Sequence, residues 1–443
     1  MISNYGSDGT VAEKKSLIAD LETSDFDATI RESVTAVSHE ESDSAFSSKL
    51  GLVLLVFAFA FLLAASSNIN DSFTLSKSSR HESSMRQLFL DFTEKHGKVY
   101  DSDEELSSRY EIFINNLALI AERNMAEKRV GGSATHGISQ FADMTDEEFM
   151  QQYQGVRLPA ISDMKNTVNV PQPVESTVLT SSATSSNWIS TYTTSVREQG
   201  KCGSCWAVSS AEQIESDTLR VLKNKYNVTP DEVDIKLSVQ QLVDCVYYNI
   251  KDGCSGGWPS IAFTYVELFG IELNVSYPYL AHNETVCKAD ESRVVLTLAG
   301  HTNVYGNEEW MKAHVLNTGP LVIAVHGTYL KTYTGGVIKN CGENGHVSHG
   351  VQVVGLNMED SNNPYWIVRN SWGRNWGENG YFYLAYGENM CNCSYYAAYT
   401  YPKAYSIGKD SYYLAGDDDS KTNKANDDKE DEDDDDDNTD DEE

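Results

Sequence analysis

Eight cysteines, Cys202, Cys205, Cys245, Cys254, Cys287, Cys341, Cys391 and Cys393, crowd into the stretch 202–393 of this chain, and none precedes residue 202. Asn-x-Ser/Thr acceptor patterns share that one-sidedness, occurring at Asn70, Asn227, Asn274, Asn283 and Asn392 and never before residue 70. Together they predict a cross-linked unit folded in an oxidising lumen. An apolar run, Leu50 to Ala65, carries no charge. As a helix it would span about 24 Å against a hydrocarbon core of ~30 Å, short but tolerable. A cleavable signal peptide starts with a short basic stretch, whereas here 49 polar, acidic residues come first. Residues 50–67 therefore read as an uncleaved transmembrane anchor. Lys49 stands on one flank and Lys77 and Arg80 on the other, so orientation rests on the cysteines and acceptor sites. The N-terminus is expected in the cytosol and the bulk in a lumen, a single-pass type II arrangement.

The 443 residues carry a formal net charge of -32, which argues against nucleic acid as a partner through any general positive field. From Asp417 onward, seventeen acidic residues meet three lysines. Residues 409–443 read as a solvated acidic tail and residues 1–49 as a disordered cytosolic one.

Between these ends the periodicity changes several times. Residues 82–150 read as helical. Met85, Leu88, Phe89 and Phe92 form one apolar stripe, and Leu106, Tyr110, Phe113, Leu117 and Ile120 form a second. Residues 151–187, rich in Pro, Ser and Thr toward their end, read as an exposed linker open to cleavage. In the unit 188–408, "CWAVSSAEQIESDTLRVLK" predicts a helix from Cys205, with Val208, Ala211, Ile214, Thr218 and Leu222 on one face. "HGVQVVGL" and "PYWIVRN" have the β-branched and aromatic bias of strands. A helical half followed by a strand-rich half predicts two lobes with a cleft between them.

"KCGSCW", residues 201–206, permits three chemistries. The two cysteines could close a redox disulfide. They could supply half a zinc site with Cys391 and Cys393. Or one could be bridged elsewhere while the other stays free as a nucleophile. Cys205 would open a helix, where unpaired N–H groups favour negative charge. A thiol near pKa 8.5 also needs an imidazole to take its proton. His349, at a strand edge and followed by glycine, is the candidate; His346, three residues earlier, competes. Asn370 could orient the ring.

"QGKCGSCWAVS", "GCSGGWP", "SHGVQVVG" and "YWIVRNSWGRNWGENGY" together resemble the papain/cathepsin family of cysteine peptidases over roughly residues 188–402. The resemblance implies an α+β, papain-like two-lobe fold, with a helical left lobe and a β-barrel-like right lobe. It implies Cys205 as nucleophile, His349 as base and acid, and Asn370 as orienting residue shielded by Trp372. Gln199 would be an oxyanion donor beside the backbone N–H of Cys205. Gly256, Gly257, Trp258 and Pro259 would form the substrate groove. By the same resemblance Cys202 pairs with Cys254, Cys245 with Cys287, and Cys341 with Cys391 or Cys393. Counting back from "YTYP" selects Cys393 and places Ala398 on the floor of the specificity pocket. A bridge through Cys391 would put Tyr396 there and shrink the pocket.

Upstream, Glu105, Arg109, Phe113, Asn116, Ile120 and Asn124 match the family's ERFNIN propeptide spacing at every position. "GISQFAD" matches a second propeptide pattern, with Ser139 replacing Asn while Phe141 and Asp143 remain. Ser348 precedes the histidine where the family has Asn or Asp. Trp188 lies one residue closer to Cys205 than usual, and Asn187 replaces an acidic neighbour. The expectation is a membrane-tethered zymogen of a cysteine endopeptidase, monomeric, without metal or cofactor, held by its own prodomain and acting on protein substrates in a lysosome- or vacuole-like compartment. The competing expectation is a family-shaped binding or scaffold protein without turnover.

Overall fold

The computed structural model describes residues 71–157, 183–407 and 410–413, apart from 229–232, 234, 247–251, 285 and 343–344. Before the linker come helices α1 (Asp71–Lys95), α2 (Asp103–Arg129) and α3 (Asp146–Tyr153); after it come α4 (Cys205–Tyr226), α5 (Val239–Cys245), α6 (Pro259–Phe269) and α7 (Glu308–Asn317). Ser102 caps α2 by accepting from the Glu105 N–H, with three acidic residues in the first turn and Lys128 and Arg129 in the last. Thr145 and Glu148 close a reciprocal capping box on α3. The two apolar stripes meet: Met85, Phe89 and Phe92 of α1 pack on Phe113, Leu117 and Ile120 of α2. The second stripe starts later than its spacing suggests, because Leu106 is exposed and Tyr110 half-buried.

The strands are β1 (Thr135–His136), β2 (Ser185–Asn187), β3 (Ile271–Glu272), β4 (Val294–Val304), β5 (Leu321–Val325), β6 (Tyr333–Gly335), β7 (Val337–Ile338), β8 (His349–Asn357), β9 (Tyr365–Arg369), β10 (Tyr381–Ala385), β11 (Ala397–Ile407) and β12 (Asp410–Tyr413). The main sheet runs β3-β4-β11-β5-β8-β9-β10-β7, with β2 on β8 and β12 on β11. β1, from the segment ahead of the linker, pairs antiparallel with β6.

Two apolar cores give the two lobes. One joins α4, α5 and α6 through Val208, Ile214, Leu242 and Phe263. The other fills the sheet with Trp366, Trp372, Trp376 and Phe382. Between them, α4 is buried on nearly all sides. Its apolar stripe faces the helical lobe as expected. Its polar side, which the pattern alone would leave in water, is buried too. There Glu212 pairs with Arg369 at 3.3 Å, Gln213 donates to the Pro320 carbonyl at 3.0 Å, and Asp217 accepts from the Thr400 N–H at 2.8 Å. Each group finds its partner on the strand lobe, so polar contacts lock the lobes in register.

Several expectations on boundaries need correction. Residues 410–413, assigned to the acidic tail, form β12 against β11. Residues 185–187, assigned to the linker, pair with β8. Residues 151–153 belong to α3. The apolar run 50–67, the N-terminal tail 1–49, most of the linker and the acidic tail beyond 413 lie outside the described residues. Among the described residues no helix is long and apolar enough to cross a membrane.

The disulfides are Cys202–Cys254, Cys245–Cys287 and Cys341–Cys391. The expected Cys341–Cys393 pairing is therefore replaced by Cys341–Cys391, and Cys393 is free and buried. The reason lies in the loop before β11. Glu308 accepts from the backbone N–H groups of Gly387 and Asn389 and from the Trp366 indole. The short turn Met390–Asn392 then carries Cys391 at φ 52°. That turn delivers Cys391 to Cys341, and Cys393 follows into the core. Cys202 is bonded to Cys254 and Cys391 to Cys341, which removes the Cys202–Cys205 redox pair and the four-cysteine zinc set from the readings of the opening motif.

Candidate active site

Cys205 is the first residue of α4. The chain reaches it by passing hard against the loop at Cys254: the Gly203 N–H donates to the Cys254 carbonyl at 2.9 Å, and a Cβ on Gly203 would lie 2.4 Å from that oxygen. Ser204, at the cap position, makes no side-chain cap; its hydroxyl bonds instead to the Tyr279 hydroxyl at 2.6 Å. The Cys205 sulfur is fully buried and accepts the Gly155 N–H at 3.1 Å. Burial pushes its pKa up to about 11, against the pull of backbone N–H groups of Gly350, Gly155 and Trp206.

His349 opens β8. Its Nε2 lies 2.7 Å from the Asn370 Oδ1, an acceptor, so that nitrogen carries the proton. Nδ1 has no partner and is the nitrogen free to face a thiol. Burial lowers the imidazole pKa to about 4, opposed by the Asn370 bond. Trp372 stacks on the ring at 4.6 Å, covering the histidine–amide bond. Close approach of β8 to α4 depends on Gly350, whose Cβ would meet the Ser209 hydroxyl at 2.8 Å and the Cys205 carbonyl at 3.1 Å. His346 remains in the loop ahead of β8, and the amide bond belongs to His349.

Gln199 is held by residues that its motif did not reveal. Its Oε1 accepts from Ser371 Oγ at 2.6 Å and from Trp372 Nε1 at 3.1 Å. Both donors fix the amide's orientation, so Nε2 points away from them. It donates to the Cys202 carbonyl at 2.8 Å and the Tyr153 carbonyl at 3.2 Å. Tyr279 adds a bond to the Gln199 backbone carbonyl at 2.7 Å. The adjacency of Ser371 to Asn370 was a usable signal; nothing in the sequence marked Tyr279.

The groove at Gly256–Pro259 is occupied by the chain's own segment 153–157. Gly257 N–H donates to the Gly155 carbonyl at 2.8 Å, Arg157 N–H to the Gly257 carbonyl at 2.9 Å, and Val156 N–H to the Ser348 carbonyl at 2.9 Å. Val156 and Gly257 form a parallel bridge. A Cβ on Gly155 would lie 1.6 Å from the Gly203 carbonyl, so only glycine passes here. Gly257 is equally constrained, its Cβ position 2.5 Å from the Trp206 ring. With this chain direction an amide N–H, not a carbonyl carbon, rests on the thiol.

Trp258 is buried, and Pro259 starts α6. The ring packed against Trp258 is that of Tyr396, tilted to it with centroids 4.4 Å apart. The condition that placed Ala398 on the pocket floor, a bridge through Cys393, is not met. Ala398 lies two residues on, paired with Asn303 and Val322.

The upstream motif residues pin α2 to the segment that follows it. Arg109 binds Glu148 at 2.6 Å and the Asp143 carbonyl at 3.1 Å, with Glu105 3.8 Å from its Nε. Asn116 donates to the Ala142 and Met144 carbonyls, and Asn124 exchanges two bonds with the His136 backbone. Phe113 and Ile120 are buried in the core. Ser139, at the substituted position, donates to the Lys331 carbonyl at 2.5 Å. Phe141 and Phe149 then close edge-on over Trp372 at 5.3 and 5.2 Å, which ties this segment directly to the histidine's cover.

Residues 182–401 match the family described as papain family cysteine protease, and residues 89–149 match the cathepsin propeptide inhibitor domain (I29). The "Cathepsin L-like proteinase" of Phaedon cochleariae is 38% identical over 310 residues, covering 68% of this chain and 88% of that protein. "Cysteine proteinase 1" of Dictyostelium discoideum is 33% identical, covering 69% and 90%. Among solved structures, digestive procathepsin L 3 of Tenebrio molitor larval midgut aligns with a TM-score of 0.58 at 31% identity, covering 71% of this chain and 98% of that one.

Proposed function

The chain belongs to the papain family of cysteine peptidases, as a zymogen with its own cathepsin-type inhibitory propeptide, and from that premise we propose how its residues divide the work. Cys205 is the nucleophile, and His349 takes its proton through Nδ1. Asn370 holds the ring by Nε2, and Trp372 keeps water from that bond. The thiolate attacks the substrate carbonyl, and the oxyanion rests on the Cys205 N–H and the Gln199 Nε2. His349 returns the proton to the leaving amine, and water then hydrolyses the acyl-enzyme. Gly256, Gly257, Trp258 and Pro259 hold the substrate backbone, so cleavage falls within a chain.

One observation carries this reading. In the zymogen the Tyr153 carbonyl sits on Gln199 Nε2 while the Gly155 N–H sits on the sulfur. The propeptide thus fills a carbonyl-recognising site without presenting a carbonyl to the thiol. In the filled cleft both burial shifts favour the neutral thiol and neutral imidazole. Removal of the propeptide readmits water, relieves that cost and allows the thiolate–imidazolium pair to form. Cleavage of a fluorogenic peptide at pH 5 tests the assignment. Cys205→Ala in the processed enzyme is expected to lose at least ~10³-fold in kcat/KM, and undiminished turnover would defeat it.

Membrane tethering and an acidic lumen complete the proposal, supported by the apolar run 50–67 and the one-sided cysteines and acceptor sites. Alkaline carbonate extraction of membranes, followed by N-terminal sequencing of the retained protein, tests both. An N-terminus beyond residue 67 in every form would contradict an uncleaved anchor.

A further inference from the structure

We propose that Tyr279 is a positioning residue for the oxyanion site: its hydroxyl ties the segment that carries Gln199 to the residue before Cys205, and so fixes the spacing of the two groups that receive the oxyanion. The proposal rests on the peptidase reading above, in which those groups are Gln199 Nε2 and the Cys205 N–H.

A phenol has one proton, so the two bonds at the Tyr279 hydroxyl have a direction. It donates to the Gln199 backbone carbonyl at 2.7 Å, so the Ser204 hydroxyl, 2.6 Å away, donates to it. Ser204 immediately precedes Cys205, and its backbone N–H donates to the Cys202 carbonyl at 2.7 Å. That carbonyl also accepts from Gln199 Nε2 at 2.8 Å. A closed circuit of bonds therefore runs from Ser204 through Tyr279, Gln199 and Cys202 back to Ser204. Burial pushes the Tyr279 phenol up to about 12, so it stays a donor throughout the acid and neutral range.

The strand lobe holds Gln199 from one side. Its backbone N–H donates to the Ser371 carbonyl at 2.9 Å, and its side-chain oxygen takes the bonds from Ser371 and Trp372. Cys205 stands on α4 instead. Tyr279 joins these two supports from the helical lobe, and its own segment is clamped to α5. Ser238 Oγ donates to the Tyr277 carbonyl at 2.7 Å, the Leu280 N–H donates to Gln240 Oε1 at 2.8 Å, and Gln240 Nε2 donates to the His282 carbonyl at 2.7 Å. Ser238 and Gln240 are fully buried at the start of α5. Ala281 also props the turn after Gln199: a Cβ on Gly200, at φ 60°, would lie 3.0 Å from the Ala281 Cβ. An oxyanion site works because its donors are in place before charge develops. A ring clamped at both ends of its segment can keep them there.

The test is a double-mutant cycle on the processed enzyme with a fluorogenic peptide. Tyr279→Phe is expected to lower kcat about tenfold with KM unchanged within about twofold, and Gln199→Ala to lower kcat about 100-fold. In the Gln199→Ala background, Tyr279→Phe is expected to cost no more than about threefold, because one of the groups it positions is gone. Alkylation of Cys205 by iodoacetamide needs no oxyanion site, so its pH profile should be the same in Tyr279→Phe and wild type. Ser204→Ala breaks the chain of bonds at its other end and should lower kcat about threefold, which tests the proposal even where Tyr279→Phe fails to fold. Wild-type kcat in Tyr279→Phe or in Ser204→Ala overturns the proposal. So does an undiminished loss in the Gln199→Ala background, which marks a merely structural role, or a shifted alkylation profile, which marks an effect on the thiol. Wild-type kcat in Gln199→Ala would instead defeat the oxyanion role of that residue, and this proposal with it.

Discussion

Inside the propeptide, α1 and α2 meet through rings: Phe89 and Phe92 lie 5.3 and 5.2 Å from Phe113. Where α2 meets the catalytic unit, the contacts are charged and polar. Arg123 donates to Thr332 at 2.9 Å and to the Tyr329 carbonyl at 3.1 Å. Lys331, 1% exposed, donates to Asn116 at 2.9 Å and pairs with Asp146 at 2.5 Å. Glu127 accepts the N–H groups of Lys339 and Asn340, and His136 is buried against Thr332. Apolar burial is insensitive to pH, whereas buried ionisable groups couple docking to it. The propeptide is thus built to stay folded through one face and to release through the other.

The sharpest way to break this contrast is Phe113→Ala. It should cost about 3–5 kcal/mol in the propeptide core, and the zymogen should then show an early thermal transition with premature activity. A propeptide that docks normally after this change would mean the core is not what positions α2. Lys331→Ala leaves the Asn116 amide oxygen without the lysine donor and the Met144 carbonyl with one donor of two. Its expected effect is about 2 kcal/mol, or ~30-fold weaker inhibition by the propeptide added in trans.

A smaller effect comes from the two titrating groups, which act in opposite directions. Docking holds His136 at about 3 against an ordinary 6.5, first by burial and then by Arg123. Its contribution is fully present above pH 6.5 and is lost as pH falls from there toward 3. Docking raises Glu127 from 4.5 to about 7, chiefly by burial. Its contribution is full below pH 4.5 and is lost as pH rises through 7. Between pH 7 and 5.5 the two nearly offset. Over that interval the inhibition constant should change about tenfold toward release in Glu127→Gln, and about tenfold toward retention in His136→Gln. Equal pH profiles in all three proteins would show that neither group senses acid.

Much of this was legible in the chain. The repeat from Glu105 to Asn124 marked α2, "CWAV" marked the start of α4, and "HGVQVVG" put His349 at a strand edge. These are local patterns set by helix and strand periods. What stayed hidden depended on distant partners. The polar side of α4 is buried only because Arg369, Pro320 and Thr400 come to meet it. Cys391 and Cys393 differ by two residues, a shift that keeps a strand's faces, so periodicity could not choose between Tyr396 and Ala398. Nor did Gly155 announce its role, since its need for glycine comes from a carbonyl at residue 203.

The rate at which iodoacetamide alkylates Cys205, followed against pH by mass of its peptide, compares the filled cleft with the open one. In the processed enzyme the rate should titrate well below the ordinary thiol value of about 8.5 and lose that inflection in His349→Ala. In the intact zymogen the same sulfur should stay unreactive while the propeptide is docked. A processed enzyme that titrates at 8.5 or above, or a zymogen that reacts as fast as its product, would contradict activation of Cys205 by His349 and its silencing by burial.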